Sequence, residues 1–288
     1  MTELDVAVRS HDRLGESPRW DSKGLKLWWV DMEGSALRWY SPSSGQSGTE
    51  VLRGSAASIA LSRRGLIGVF PDGVHLLCHD VPAAAPLVPI EAGDDCYLND
   101  SACDPYGRLW VGSGSDVVEG RGALWRVAPE QARPVAAHCG LWLANGIGWS
   151  PDGREMFVAD SYQRVVYRFG YEPATGALGE QREFCTFRKE DGLPDGLAVD
   201  VEGGVWVALW GGGAVWHFSP NGERDMALEL PVTNVTACAF GGDGRTDLYI
   251  TTARAGLDEA AQRHEDLAGS LFRAEVSVEG LPTALCAL

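Results

Sequence analysis

The chain has 288 residues, 40 acidic and 24 basic side chains, and a formal charge of −16. That balance argues against nucleic acid as the main partner, because binding there needs clustered Lys and Arg against phosphate, and against an anionic membrane surface. The length admits one large domain or two small ones, and 45% hydrophobic residues can build a sizeable core.

Thirty-six glycines and 11 tryptophans favour many short strands over long helices. The start, Met1-Thr2-Glu3-Leu4-Asp5, is acidic and has no apolar h-region, so no signal peptide is expected. The seven cysteines are scattered without a CxxC pair, which argues against a zinc knuckle and fits a reducing cytoplasm. Apolar runs such as Val205 to Trp210 are too short to span a bilayer.

A turn glycine after an alternating apolar stretch recurs six times, at Gly24, Gly65, Gly107, Gly153, Gly203 and Gly242. The steps are 41, 42, 46, 50 and 39 residues. An apolar, usually aromatic strand follows most of them: Leu27 to Val30, Leu109 to Val111, Met156 to Val158, Val205 to Val207, Leu248 to Ile250. After a gap comes another, such as Ala36 to Tyr40, Ala123 to Val127 or Ala214 to Phe218, with room for a fourth. A period of about 40–50 residues with four strands per unit is the signature of a propeller blade. The expected fold is all-β, a six-bladed β-propeller forming a single domain over residues 1–288. A β-sandwich fits the regular spacing poorly. Closure is expected from Leu4 to Arg9, completing the last blade near Arg273 to Val278. Asp258 to Leu267 reads as a solvated surface turn.

Eight residues before each turn glycine stand Glu16, Ala57, Asn99, Asn145, Asp195 and Asn234. Rotation about a propeller axis would place them in one ring, at the entry to each innermost strand. Asn and Asp are common where strands begin, so each alone reads as a turn residue. Glu is a poor turn former, and the shared register points to a site. Converging carboxylates need a partner, and an all-oxygen donor set suits a hard divalent cation. Asp31, Ser113 to Asp116, Asp160, Trp210 to Gly213 and Arg254 should rim the same mouth, with Asp31 and Asp160 as candidate supports for the ring. His75 and His79 share a strand face, but no acid or cysteine completes a metal set. No GxSxG is present.

Leu14-Gly15-Glu16-Ser17-Pro18-Arg19-Trp20, Asn99-Asp100, Asn145-Gly146-Ile147-Gly148-Trp149-Ser150, Pro194-Asp195-Gly196-Leu197 and Tyr249-Ile250-Thr251-Thr252-Ala253-Arg254 closely resemble the SMP-30/gluconolactonase/regucalcin family. The resemblance spans essentially the whole chain. It implies a six-bladed propeller that opens sugar lactones with one divalent ion, left open among Ca, Mg, Mn, Zn and Fe. It implies Glu16, Asn145 and Asp195 as metal ligands and Asn99 as a substrate or water-mediated metal contact. The family's frequent Arg two residues before that Asn is replaced by Tyr97, which leaves the particular lactone open.

The expected mechanism has Asp195 as general base, Glu16 and Asn145 holding the ion, and Asn99 and Tyr97 orienting substrate hydroxyls. Rival readings are an aryl-ester or organophosphate hydrolase on the same site and a non-catalytic divalent-metal-binding propeller. The expected partner is a small-molecule lactone, with neither nucleic acid nor membrane, and the chain is expected to be a cytoplasmic monomer or weak homodimer.

Overall fold

The computed structural model describes residues 4–77, 85–129, 131 and 133–288, so Cys78 and His79 lie outside the described residues. Six four-stranded antiparallel sheets follow one another as the blades of a propeller. In blade 1, Gly15–Asp21 pairs with Lys26–Asp31, then Ala36–Ser41, then Gln46–Val51. The innermost strands of blades 2 to 6 are Ser58–Ser62, Tyr97–Cys103, Ala144–Trp149, Leu193–Val199 and Val235–Gly241. These starts agree with the register read from the turn glycines.

Burial explains the strand sequences. Second strands are packed on both faces by neighbouring blades, so Val205–Trp210 is apolar almost without break and nearly all buried. Outer strands face water: Gln46–Val51 and Arg224–Glu229 are mostly exposed. Trp20, Trp29, Trp110, Trp149 and Trp206 are buried, and the other described tryptophans are half-buried. Five of the six anchor glycines have positive φ; in blade 1 the left-handed position falls to Leu25, at φ 49°.

The sixth blade is closed by the N-terminus. Leu4–Val8 pairs antiparallel with Leu271–Glu275, setting Leu4 opposite Ala274 and Val6 opposite Phe272. The 258–267 stretch differs from the expected turn. Glu259–His264 forms a short helix because the Asp258 carboxylate accepts from Ala261 N–H at 2.8 Å, and none of its residues is buried. No helix among the described residues is long and apolar enough to cross a membrane.

The last eight residues cross the face where the innermost strands end. Leu281 N–H donates to Val199 O, Cys286 N–H to Leu61 O and Ala287 N–H to Gly107 O. This strap touches blades 5, 2 and 3. It helps to enclose a largely apolar cavity of about 380 Å³ lined by Ile147, Leu197, Phe240, Leu281 and Pro282 among others.

Candidate metal centre and active site

The opposite mouth carries the ring. In five blades the innermost strand has a β-bulge at or beside the ring residue. Asn99 and Asp100 lie between the pairs Leu98–Ser113 and Ser101–Val111; Asn145 and Gly146 lie between Ala144–Asp160 and Ile147–Val158. Asp195 and Gly196 occupy the corresponding break in blade 5, and Glu16 is the last paired residue before the one in blade 1. A bulge leaves residues outside the ladder and re-aims their side chains. Blade 2 has alanine, Ala57, at the ring position and an uninterrupted ladder.

The bulges let neighbouring innermost strands approach closely. A Cβ on Gly146 would stand 2.5 Å from Asp195 O, and one on Gly196 would collide with the Ala237 side chain. Hydroxyl and amide groups join the other neighbours. Ile59 N–H donates to Ser17 Oγ at 3.0 Å, Ser58 Oγ to Asn99 O at 3.1 Å, and Asn99 Nδ2 to Ala144 O at 3.2 Å. Asn145 Nδ2 donates to Ser161 Oγ, which donates to Pro194 O at 2.6 Å; Thr236 Oγ1 donates to Gly15 O. Asn99 and Asn145 therefore spend their N–H groups on the scaffold, which leaves their carbonyl oxygens as acceptors.

Asp195 and Asn145 are only 5% and 8% exposed. Burial drives the Asp195 carboxyl well above its ordinary pKa, and the charges of Glu16 and Asp100 push it further; the Asn145 amide and Gly196 N–H offset part of this. Glu16 is pushed up to about 8, first by burial and then by Asp100, against Ser17 N–H and Arg19. Asp195 Oδ1 is buried without a hydrogen-bond partner. An orphaned carboxylate oxygen, a second carboxylate and an amide oxygen thus meet at one mouth. A divalent cation there would remove the penalty both acids carry, and an all-oxygen set is right for a hard one. Among the described residues no cluster of three or more His, Cys, Asp and Glu side chains is arranged for a metal.

Asp100 belongs to this cluster and is absent from the sequence-predicted set. Its carboxyl is raised by burial and held down by Arg19, whose Nη2 lies 3.3 Å from Asp100 Oδ1. Arg19 also donates to Ser101 O and Pro18 O and lines the apolar cavity below. It is thus a counter-ion inside the channel. Only the adjacency of Asp100 to Asn99 could have signalled it.

The remaining sequence candidates fall at the rim or serve the scaffold. Tyr97 begins the blade 3 innermost strand, and its OH donates to Asp116 Oδ1 at 2.7 Å. Asn234 donates to Ala255 O at 2.8 Å, a loop contact. Asp31 accepts from Leu14 N–H, and Asp160 from Trp142 and Leu143 N–H. Leu14 and Leu143 each stand two residues before a ring side chain, so these aspartates fix the approach to Glu16 and Asn145 through the backbone. His75 pairs with Asp72 at 2.8 Å and its ring meets Phe70 edge-on, a local surface contact.

A profile of the SMP-30/Gluconolactonase/LRE-like region matches residues 14–254. The chain belongs to this family. Among relatives, pentonolactonase XacC of Haloferax volcanii is 32% identical, with 94% of this chain and 93% of that protein covered. The L-arabinolactonase of Azospirillum brasilense is 31% identical over 98% of this chain and 95% of that protein. The crystal structure of a calcium-binding protein, regucalcin, from Agrobacterium tumefaciens superposes with a TM-score of 0.92 at 25% identity, covering all of this chain and 98% of that one. Family membership agrees with the resemblance carried by the Glu16, Asn145 and Asp195 motifs.

Proposed function

We propose that this member of the SMP-30/gluconolactonase family is a metal-dependent lactonase that opens a sugar lactone to its sugar acid. The observation that carries the reading is the buried, unpartnered Asp195 Oδ1, set beside Asn145 and facing the charge of Glu16. The relatives named pentonolactonase and L-arabinolactonase support the substrate class.

Glu16, Asn145 and Asp195 would hold one divalent cation. When bound it supplies a Lewis acid that polarises the lactone carbonyl and neutralises the oxyanion. The chain supplies the proton path and the orientation. Asp195 takes a proton from the attacking water as the water oxygen bonds to the carbonyl carbon. The bond from that carbon to the ring oxygen then breaks, and Asp195 returns the proton to the departing alkoxide. The product is an open carboxylic acid, which releases one proton near neutrality. Such general-base assistance is typically worth about 10²–10⁴ in rate. Asn99 and Tyr97 orient substrate hydroxyls at the side of the mouth formed by blade 3.

The test is proton release from a panel of pentono- and hexono-lactones, after chelation and with each divalent metal restored. Turnover that disappears on chelation and returns with one metal is expected. Undiminished turnover in chelator, or tight metal binding with no lactone opened, would refute the reading.

A further inference from the structure

Far from the metal mouth, the chain carries a pair of thiols that the chemistry above does not use. Cys103 ends the innermost strand of blade 3, and Cys286 lies in the strap that crosses that end. Backbone bonds fix the strap on both sides of the contact. Cys286 N–H donates to Leu61 O of blade 2 at 2.7 Å, and Ala287 N–H donates to Gly107 O of blade 3 at 2.9 Å. The fit is close: a Cβ on Gly107 would stand 2.9 Å from the Ala287 Cβ. Cys286 is thereby set into the apolar cluster between blades 2 and 3, against which Cys103 packs. The two thiols are free and hydrogen-bonded to each other. Cys103 also lines the cavity of about 380 Å³ behind the strap, whereas Cys286 is almost fully buried.

We infer that Cys103 and Cys286 form a peroxide-sensitive thiol pair whose disulfide fastens the strap to blade 3. The inference goes beyond the lactonase reading and stands without it. Thiols in side-chain contact need little backbone movement to meet disulfide geometry. The Cys103 S–H donates to Cys286, which lowers the Cys286 pKa; burial opposes this, and the Leu288 and Ala287 N–H groups assist. Cys286 is therefore the thiolate of the pair, and a thiolate is the nucleophile. Hydrogen peroxide is small enough to enter by the cavity that Cys103 lines. The other described cysteines lack this arrangement. Cys185 and Cys238 are buried, and burial pushes each thiol up to about 12. Cys96 Sγ donates to Arg121 O at 3.8 Å, and Cys139 stands exposed on the fourth strand of blade 3. The Cys286 thiolate attacks one peroxide oxygen and the O–O bond breaks. Cys286 becomes a sulfenic acid, and the departing hydroxide takes up the proton that Cys286 had lost, giving water. Cys103, no longer facing a negative sulfur, releases its proton and attacks the Cys286 sulfur. The S–S bond forms as the S–O bond breaks, and the second hydroxide takes the Cys103 proton. Two thiols and one peroxide thus give one disulfide and two waters, with both sulfurs oxidised and both peroxide oxygens reduced. The closed covalent loop runs from residue 103 through blades 4, 5 and 6 to residue 286. A loop of that length removes much freedom from the unfolded chain, so oxidation stabilises the fold.

The experiment treats the wild-type protein with hydrogen peroxide, blocks the remaining thiols and maps the links by mass spectrometry. Cleavage before Asp100 and Asp104 isolates the 100–103 peptide, which holds Cys103 and no other cysteine. A link between that peptide and the one holding Cys286 is expected. The oxidised protein should melt about 5 °C higher than the reduced one, and dithiothreitol should reverse both changes. Cys286→Ala and Cys103→Ser should each abolish the link and the rise in melting temperature. If either substitution prevents folding, the wild-type protein with and without dithiothreitol decides alone. Both sulfurs recovered as thiols, links made by Cys96 or Cys139 in place of this one, or an oxidised protein that melts no higher than the reduced one would overturn the inference.

Discussion

Asp195 concentrates three burdens in one side chain: burial, an unpaired oxygen and the repulsion of two other acids. A carboxylate so placed is poorly suited to a purely structural role, because an unpaired buried charge costs several kcal/mol. Asp195→Asn should lower kcat/KM by about 10²–10⁴ and weaken cation binding, while the metal-free protein should melt no lower than wild type. Steady-state kinetics, cation titration and a melting curve in chelator check the three parts; a metal-free variant that melts well below wild type would mean Asp195 supports the fold. At this scale the ring was largely legible, because the turn glycines fix the count to Glu16, Asn99, Asn145 and Asp195. Asp116 is legible as a rim residue from its place after the second strand of blade 3. Asp100 is not, because it enters through a bulge that displaces the strand's alternation.

The innermost strands work as aiming devices. Their bulges require glycine where neighbours touch, and Gly196 has Ala237 against it. Gly196→Ala should destabilise the protein by about 1–3 kcal/mol in urea unfolding, the usual range for overpacking. Asp160 is a second lever, since it holds the N–H groups of Trp142, Leu143 and Gln163. Asp160→Ala leaves these without their partner and should cost about 3 kcal/mol, with kcat reduced through the misplaced Asn145 strand. Retention of both stability and kcat would show that the loop holds itself. Blade 5 carries a pH-dependent contact away from the site. His217 Nε2 lies 3.1 Å from Asp200 and Nδ1 lies 2.5 Å from Asp225. Burial lowers the His217 pKa, but the two carboxylates outweigh it and the net shift is upward from 6.5. For Asp200, burial raises the pKa, and His217, Trp206 N–H and Gly204 N–H outweigh it, so the net shift is downward from 3.8. The histidine's share of stability is therefore complete below about pH 6.5 and lost as pH rises through its folded pKa. The Asp200 share is present above about pH 4 and lost as pH falls through its lowered value. Melting of His217→Phe against wild type should show the larger deficit near pH 5.5 and a smaller one near pH 8.5; a deficit that grows with pH would contradict the assignment.

Around the whole molecule, circular closure depends on a short N-terminal strand. Removing residues 1–8 would leave Leu271–Glu275 as an open edge and take Leu4 and Val6 off the blade 6 core. The truncated protein should aggregate or melt more than about 10 °C lower, given the lost ladder and apolar burial. A monomeric truncation with unchanged melting would show that the closing strand is dispensable. The six blades could be read from the repeat because each turn glycine precedes a second strand that is packed on both faces and therefore apolar, as Val205–Trp210 is. The outer strands could not, since Gln46–Val51 and Arg224–Glu229 follow the solvent and carry little pattern. The helix at Glu259–His264 escaped for a related reason: a capped surface helix with no buried side chain has no apolar stripe. The C-terminal strap is tied to three blades by backbone hydrogen bonds, which side-chain periodicity does not report.

The most direct measurement is anomalous diffraction from a crystal of this protein equilibrated with manganese. The account predicts one strong peak on the channel axis, about 2.0–2.6 Å from oxygens of Glu16, Asn145 and Asp195, as hard-cation coordination requires. No peak among those three side chains, or a peak held by other residues, would contradict it.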